Sequence, residues 1–452
     1  MSGQMLDTPI PILLRLAERL SHPASEAARA RARRHLLDWL GCAMAGRRDG
    51  LSLSLAAIAP LQAAHHHPCP AFDRAHANAI QALLMHAVEG SALESDDVER
   101  RALLHPAAVV VPAALAASSP STRMGDVLVS LVRGYEAMIR IGRALGASHY
   151  RFWHTSSTAG AFGAAAATAS LLGLSAEATA HAMATAGSRT GGLWQMRHEP
   201  VPTKRLHFAW AALEGFLAAH WAAQGLRGPL SLLEGAQGLF AATAPGADPE
   251  AVLAEAADWL IFEVSFKPYP ACRHAHPAID ALADLMPLPV AAIEGIRIET
   301  YQAAVAFCDR MHPRDEGEAR FSIQHALAAR LLLGKPALEH YREPWLGDPR
   351  LRAMRERIRV RESGAFSARF PAHFGARVEV ELEDGTVLAA ERQDASGDPE
   401  HPLAEAELQE KALSLMAEGG LPPSEGRALS EFLLKAPETQ PIAPLLTAIA
   451  SS

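Results

Sequence analysis

The chain has 452 residues, 49% of them apolar and 20% charged, with a formal net charge of −8 at pH 7. That composition supports a large buried core and excludes a disordered chain. The acidic balance excludes the broad basic surface of a nucleic-acid binder, so anion binding has to rely on local positive charge. Aromatic residues make up only 6%. Ala, Leu and Val therefore carry the core, which favours packed helices.

The length gives room for two unequal domains. The four cysteines, at 42, 69, 272 and 308, form no C-x-x-C pair. Neither a disulfide framework nor a zinc knuckle is expected, and the thiols fit a reducing cytoplasm. The segment Met1–Pro11 lacks the basic-then-apolar layout of a signal peptide. Thr158–Leu174 is mostly Ala and Gly and falls short of the roughly 20 strongly apolar residues of a membrane span. It reads as a buried helix, and no membrane partner is expected.

In chain order, residues 1–265 read as helix after helix. Apolar positions recur at three-to-four spacing over 24–46 and 123–148, and another apolar helix covers 107–118, with Asp97 or His105 as its N-cap. His65–Pro70 reads as a surface loop. After Pro268 the texture changes. Ile296–Tyr301, Arg357–Arg361 and Arg377–Leu382 alternate with period two. The last run is followed by Glu383-Asp384-Gly385-Thr386 and the apolar run Val387–Ala390, a hairpin signal. Helical stretches at 277–286 and 322–333 lie between the strands, and helices return at 404–418 and 424–434. The expected fold is mainly α with an α+β insert. Both chain ends (1–265 and 403–452) build a large helical domain, and 266–402 form a smaller α+β lid domain.

Five segments carry candidate chemistry. Glu94-Ser95-Asp96-Asp97-Val98, followed by His105, offers an acid/base pair. His154 precedes Thr155, Ser156, Ser157 and Thr158 at a helix start, where free N–H groups would suit a carboxylate. Lys204, Arg205 and His207 cluster. Lysine is rare here: five residues (204, 267, 335, 411 and 435) among 42 basic ones. Lys204 is therefore notable as a compact charge whose pKa can move, and Lys411→Ala, on the C-terminal helix, is expected to be nearly silent. Lys267–Asp280 contains Arg273, His274 and His276 between stiffening prolines. Its His-x-His pair lacks the further ligands of a metal site, and Cys272 reads as a buried structural thiol. His325 opens a helical stretch of the insert. The chain shows no Walker loop, dinucleotide fingerprint, HExxH or GxSxG element. Acid/base chemistry on a small anion, without metal or organic cofactor, is the expectation.

Together these segments resemble the MmgE/PrpD family. The matching stretches are His105–Ala114, Gly134–Arg143, His154–Leu174, Thr203–Ala212, Gly228–Phe240, Lys267–Asp280 and Gly397–Leu403, in the family's order and over nearly the whole chain. The resemblance implies a homodimer of two-domain subunits with the active site in the interdomain cleft and no cofactor. It implies a lyase acting on a di- or tricarboxylic acid, foremost a dehydratase of the 2-methylcitrate type, with decarboxylation, epimerisation or a non-catalytic binding role as alternatives. It places His105, His154, Lys204 and His276 at the family's active-site positions. Glu94, Asp97, Thr155–Thr158, Arg205, Arg273 and His325 are the candidate substrate contacts. Departures from the family pattern fall at Glu94, Val98 and His325.

Overall fold

The computed structural model describes residues 9–55, 74–199 and 201–451. The loop expected at His65–Pro70 lies outside the described residues. By contacts the chain divides into two compact units. One comprises Met1–Ala92, Ala102–Phe262 and Gln409–Ser452; the other comprises Leu93–Arg101 and Glu263–Leu408. The acidic segment Glu94–Val98 thus belongs with the second unit, although its sequence neighbours on both sides belong to the first. It is joined there by paired backbone hydrogen bonds between Val98 and Ser265, 3.0 and 2.8 Å long.

The first unit is helical. Its main helices are Ile12–Leu20, Glu26–Gly46, Arg74–Ser91, Ala107–Ala116, Met124–Tyr150, Gly160–Leu171, Ala176–Gly187, Thr203–Ala223, Pro423–Lys435 and Ala443–Ser451. Ser25 and Ser175 start two of them by accepting from Ala28 N (3.1 Å) and Ala178 N (3.2 Å), which satisfies otherwise orphaned donors. The helix Ala107–Ala116 starts differently: Pro106 occupies its N-cap position without a side-chain bond, so neither Asp97 nor His105 caps it. Beyond Ala223 the expected run of helices gives way to short turns such as Leu239–Thr243, Pro249–Leu253 and Leu260–Glu263.

The helix Gly160–Leu171 is buried on all sides except at its C-terminal end, as expected of a helix apolar all round. It packs against Met124–Tyr150, Thr203–Ala223, Ala176–Gly187 and Ala107–Ala116. Three glycines permit this crowding. A Cβ on Gly134 would stand 2.9 Å from Gly163 O, one on Gly163 2.7 Å from Met138 Cβ, and one on Gly215 2.5 Å from Ala161 O. Among the described residues, no helix is long and apolar enough to cross a membrane.

The second unit holds a four-stranded mixed sheet of β1 (Ile293–Thr300), β2 (Ile358–Glu362), β3 (Ala376–Leu382) and β4 (Val387–Arg392), in the order β2-β1-β3-β4. β1 runs parallel to β2 and antiparallel to β3, which pairs antiparallel with β4. At the β3–β4 turn, Gly385 adopts φ +84° and Asp384 Oδ1 accepts from Thr386 N at 2.9 Å. Asp-Gly suits such a turn because glycine adopts positive φ without strain. Ile296, Ile298, Val378 and Val380 face a core shared with the helices His276–Asp284 and Ile323–Leu333; the opposite face carries pairs such as Arg297–Glu381.

One expectation about the surface is overturned. Lys411 Nζ lies 2.6 Å from Asp38 Oδ1, with the two side chains 10% and 1% exposed. It forms a buried ion pair, and breaking such a pair by removing one partner typically costs about 3–5 kcal/mol.

The glycine crossing makes a direct prediction. Gly163→Val is expected to destabilise the first unit by about 1–3 kcal/mol through overpacking, despite leaving the site's polar residues in place. Thermal unfolding checks this, and a midpoint equal to wild type would show that the two helices do not meet at backbone distance.

Candidate functional site

In the first unit the polar residues converge around His154. This residue precedes the single turn Thr155–Thr158, which leads into the buried helix at Gly160. Its backbone N–H donates to Gly192 O at 2.8 Å. Gly192 has φ +112°, and a Cβ there would come within 2.9 Å of Ser157 Cβ and 3.1 Å of His207 Nδ1. Glycine at 192 therefore allows the chain to lie against both residues.

His207 lies in the first two turns of the helix Thr203–Ala223, one turn after Lys204, so both side chains share a helix face. The Nδ1 atoms of His154 and His207 are 3.2 Å apart. Trp194 packs on His154 with ring centroids 4.5 Å apart, and Phe208 meets it edge-on at 5.1 Å. His105 meets the other side of this aromatic group, 6.0 Å from Phe208. Arg197 stacks on Trp194 at 3.6 Å and on Tyr150 at 4.7 Å.

Burial first, then the charges of His207, Lys204, His105 and Arg197, holds the His154 imidazolium well below the ordinary range. Burial also lowers His207. Both rings are neutral at pH 7, which fixes what their contact means. A neutral imidazole has one N–H. One Nδ1 donates to the other, so the donor ring keeps a basic Nε2 and the acceptor ring carries its proton on Nε2. The pair therefore offers one proton acceptor and one proton donor, and the roles exchange when the shared proton moves together with loss of the proton from one Nε2 and uptake of a proton at the other. Arg197 is lowered by burial to about 10 and remains a cation.

Three of the four hydroxyls expected to hold a carboxylate, those of Ser156, Ser157 and Thr158, are engaged in holding the histidines. Ser156 Oγ accepts from His105 N at 3.1 Å, Ser157 Oγ donates to His207 O at 3.3 Å, and Thr158 Oγ1 contacts His149 Nε2 at 3.0 Å. Two of the turn's N–H groups are engaged as well, those of Ser157 and Thr158 both donating to His154 O. Arg205 is paired with Asp49. The structure thus groups His105, His154, Lys204 and His207, and adds Trp194 and Arg197. The last two lie in a stretch whose irregular pattern gave no signal.

The second unit has its own charged cluster. Lys267 is fully buried, donates to Glu94 O at 3.1 Å, and lies 3.6 Å from the carboxylates of both Glu94 and Asp96. Glu94 adopts φ +51°, a strained conformation for a non-glycine residue of the kind that clusters at functional sites. Asp97 is fully buried beside it. The rarity of lysine, which singles out Lys204, applies equally to Lys267.

His276 and His325 are clamped. Arg273 Nη1 donates to His276 Nδ1 (3.1 Å) and His276 Nε2 donates to Ala271 O (3.0 Å). Arg355 Nη1 donates to His325 Nδ1 (2.9 Å) and His325 Nε2 donates to His340 O (2.8 Å). Arg273 is itself paired with Asp398 at 2.6 Å. Both ring nitrogens of His276 and of His325 are thus engaged within their own unit. His373, Asp394 and Glu400 bring ligand atoms within 4.8 Å of one another. The Arg100 guanidinium already bridges Asp394 (2.9 Å), Asp398 (3.3 Å) and Glu400, so a cation would have to displace it.

The helical unit holds buried, mutually bonded imidazoles near Lys204 and Arg197, and the α+β unit a buried lysine on an acidic loop. Residues 17–252 match the MmgE/PrpD N-terminal domain and residues 269–433 the MmgE/PrpD C-terminal domain; the chain belongs to the MmgE/PrpD family. It is 27% identical to the cis-aconitate decarboxylase-like protein oryM of Aspergillus oryzae over 84% of each chain. It is 28% identical to the cis-aconitate decarboxylase of Homo sapiens over 72% of this chain and 70% of that one. The 2-methylcitrate dehydratase of Salmonella typhimurium is 30% identical over 28% of each chain.

The depressed histidines predict how stability follows pH. Burial holds His149 and His325 at about 4, against about 6.5 in an unfolded chain. Below pH 6.5 the unfolded state takes up protons that the folded state refuses. Each such histidine therefore removes about 1.4 kcal/mol per pH unit between 6.5 and 4. Thermal midpoints are expected to fall as pH drops from 7 to 5, and His149→Gln should flatten that slope. A midpoint independent of pH over this window would contradict the burial of these rings.

Proposed function

We propose that this protein is a lyase of small di- or tricarboxylic acids, with the His154–His207 pair moving the proton and Lys204 and Arg197 holding carboxylates. The observation that carries the reading is the 3.2 Å contact between two neutral imidazoles beside two cationic side chains. An anionic substrate brought against these cations lies where the local dielectric is low and charge-assisted contacts are strong. Its negative charge also raises the proton affinity of the neighbouring histidines, so the pair becomes able to take a proton as well as accept one in a hydrogen bond.

Decarboxylation of a cis-aconitate-type acid is the reaction we favour. Loss of CO₂ leaves an electron pair on the carbon skeleton, and one proton delivered to that skeleton completes the product. The imidazole that carries its proton on Nε2 is the donor; the shared proton moves to its Nδ1, and the free Nε2 of the partner ring takes up a proton from solvent, which restores two neutral rings. Support for this choice over dehydration comes from coverage: relatives named as decarboxylases match 84% and 72% of this chain, whereas the dehydratase match spans 28%. Dehydration of a 2-methylcitrate-type acid is the second reading: the basic Nε2 takes the carbon-bound proton, the Nε2–H protonates the departing hydroxyl, and the hydroxyl leaves as water.

Assays of cis-aconitate for CO₂ release and of hydroxylated tricarboxylates for enoate absorbance separate the two. Turnover of neither class would remove the lyase reading. On the substrate so identified, Lys204→Ala is expected to lower kcat/KM roughly ten- to a hundredfold, the worth of one charge-assisted contact. Lys204→Arg should recover only part of it, because a planar guanidinium directs its donors differently. Lys435, with a side chain 71% exposed, is the control whose alanine variant should be silent. Wild-type kcat/KM in Lys204→Ala would take Lys204 out of the site.

The proposal extends to a homodimer. Trp210 and Trp221 are 50% and 46% exposed on the helix Thr203–Ala223. Eleven residues at 3.6 per turn leave them about 20° apart, on one face. Two large exposed indoles on one stripe suit burial against a second copy. Light scattering should give a dimer at micromolar concentration and a monomer for Trp210→Arg/Trp221→Arg, and a monomeric wild type would remove the claim.

A further inference from the structure

Asp126 and Arg133 lie seven residues apart on the helix Met124–Tyr150. Seven residues make nearly two full turns, so the two side chains leave one face about 10 Å apart along the axis. With Val129 between them, they line a cavity of about 520 Å³ in the first unit. The loop before the helix adds Ser119, Ser121 and Thr122, and the end of the helix Gly160–Leu171 adds Ser170 and Leu171. None of His105, His154, Lys204 and His207 lines it.

The Arg133 end carries a charge that no acidic side chain answers. Arg133 Nη1 donates to Ser170 Oγ at 3.0 Å and Nη2 to Ser21 O at 3.4 Å, and Nε is buried without an acceptor. A guanidinium has five N–H donors, so three are unused, and among the described residues no carboxylate pairs with it. The C-terminal end of the helix Gly160–Leu171 offsets about half a unit of charge. The remainder belongs to a half-buried cation that has given up hydration without gaining an ion pair.

The Asp126 end is balanced. Asp126 and Arg123 both line it, both are exposed, and their charges are opposite. Ser119 Oγ lies 2.9 Å from Ser121 Oγ and 3.3 Å from Thr122 Oγ1, which also accepts from Ser119 N at 2.8 Å. These two contacts use two of the three hydroxyl protons and leave one to donate outward. Among the described residues the Asp126 carboxylate accepts no hydrogen bond. Such an end offers both a donor and an acceptor, which is what a hydroxyl group needs.

We propose that this cavity binds a sugar monophosphate, with the phosphoryl group on Arg133 and the sugar hydroxyls on Asp126 and the Ser119–Thr122 loop. The phosphoryl oxygens take the unused guanidinium N–H groups, and charge-assisted contacts of this kind are the strong ones. Val129 and Leu171 offer apolar contact to the carbon skeleton. The volume lies within the range of small-molecule sites. A polycarboxylate would bring a second anion against Asp126, which a hydroxylated chain does not. The inference is independent of the proposed lyase activity.

The test is calorimetric titration of the full-length protein with glucose 6-phosphate, glucose and inorganic phosphate. Glucose 6-phosphate should bind once per chain with Kd below about 1 mM, and the other two roughly tenfold more weakly or worse. Arg133→Gln should weaken glucose 6-phosphate roughly ten- to a hundredfold. Asp126→Asn should weaken glucose 6-phosphate and spare inorganic phosphate. Lys204→Ala should leave the affinity unchanged. No binding of glucose 6-phosphate at about 10 mM would overturn the proposal. So would inorganic phosphate binding as tightly as the sugar phosphate, which would make this an oxyanion site only. Full affinity in Arg133→Gln, or loss of it in Lys204→Ala, would place the ligand elsewhere and overturn it too. Ser121→Trp keeps the question open to decision should Arg133→Gln fail to fold. Its position is exposed on the cavity wall, so the thermal midpoint should hold while the indole blocks binding, and undiminished binding there would overturn the proposal.

Discussion

The approach of the helices Met124–Tyr150 and Gly160–Leu171 at Gly134 and Gly163 governs the geometry of the first unit. At these positions a Cβ would collide with backbone oxygen or a neighbouring Cβ, so the helices meet main chain to main chain. Gly215 brings the helix Thr203–Ala223 equally close to Ala161 and Ala165. Close-packed interiors do not deform continuously. The turn bearing His154 immediately precedes the central helix, and His207 lies two turns before Gly215 on the third. The distance between the imidazoles is thus set by helices locked at glycines, an arrangement more rigid than one made between loops.

That rigidity has an electrostatic consequence. A buried histidine in apolar surroundings is neutral because the charged form loses its hydration. Near His154, Lys204 and Arg197 add to the effect, and Trp194 and Phe208 exclude water from the ring. On the same helix as Lys204, Arg205 pairs with Asp49. The hydroxyls of Ser156 and Ser157 set positions without adding charge.

Much of this architecture is legible in the sequence because periodicity reports burial. The alternation at 377–382 and Asp384-Gly385 mark β3 and its hairpin, and the Ala/Gly run after Thr158 marks the buried helix. Position along the chain says less about partners. The unit to which Glu94–Val98 belongs follows from hydrogen bonds to Ser265, 167 residues away, which no local pattern reports. Lys411 reads as a surface lysine because a helical lysine usually is one, and only the packing of Asp38 against it shows otherwise. Lys204 stands out through the rarity of its residue type, and Lys267 has the same signal. Trp194 and Arg197 have none, because stacking depends on how a short irregular turn folds back onto Tyr150.

Histidine shows most clearly where such reading stops. His154, His276 and His325 are all buried, yet they differ in what their nitrogens meet. An arginine N–H can only donate. Where it faces Nδ1, as at His276 and His325, it forbids a proton there and forces Nε2–H toward the carbonyl that accepts it. Such a ring has a single tautomer, and a second proton would have to face a guanidinium. Where an imidazole faces an imidazole, as at His154 and His207, either nitrogen can carry the proton. The first arrangement fixes a fold, and the second leaves a proton able to move. The sequence supplies a histidine in both cases, and the neighbouring donor decides which role it can have.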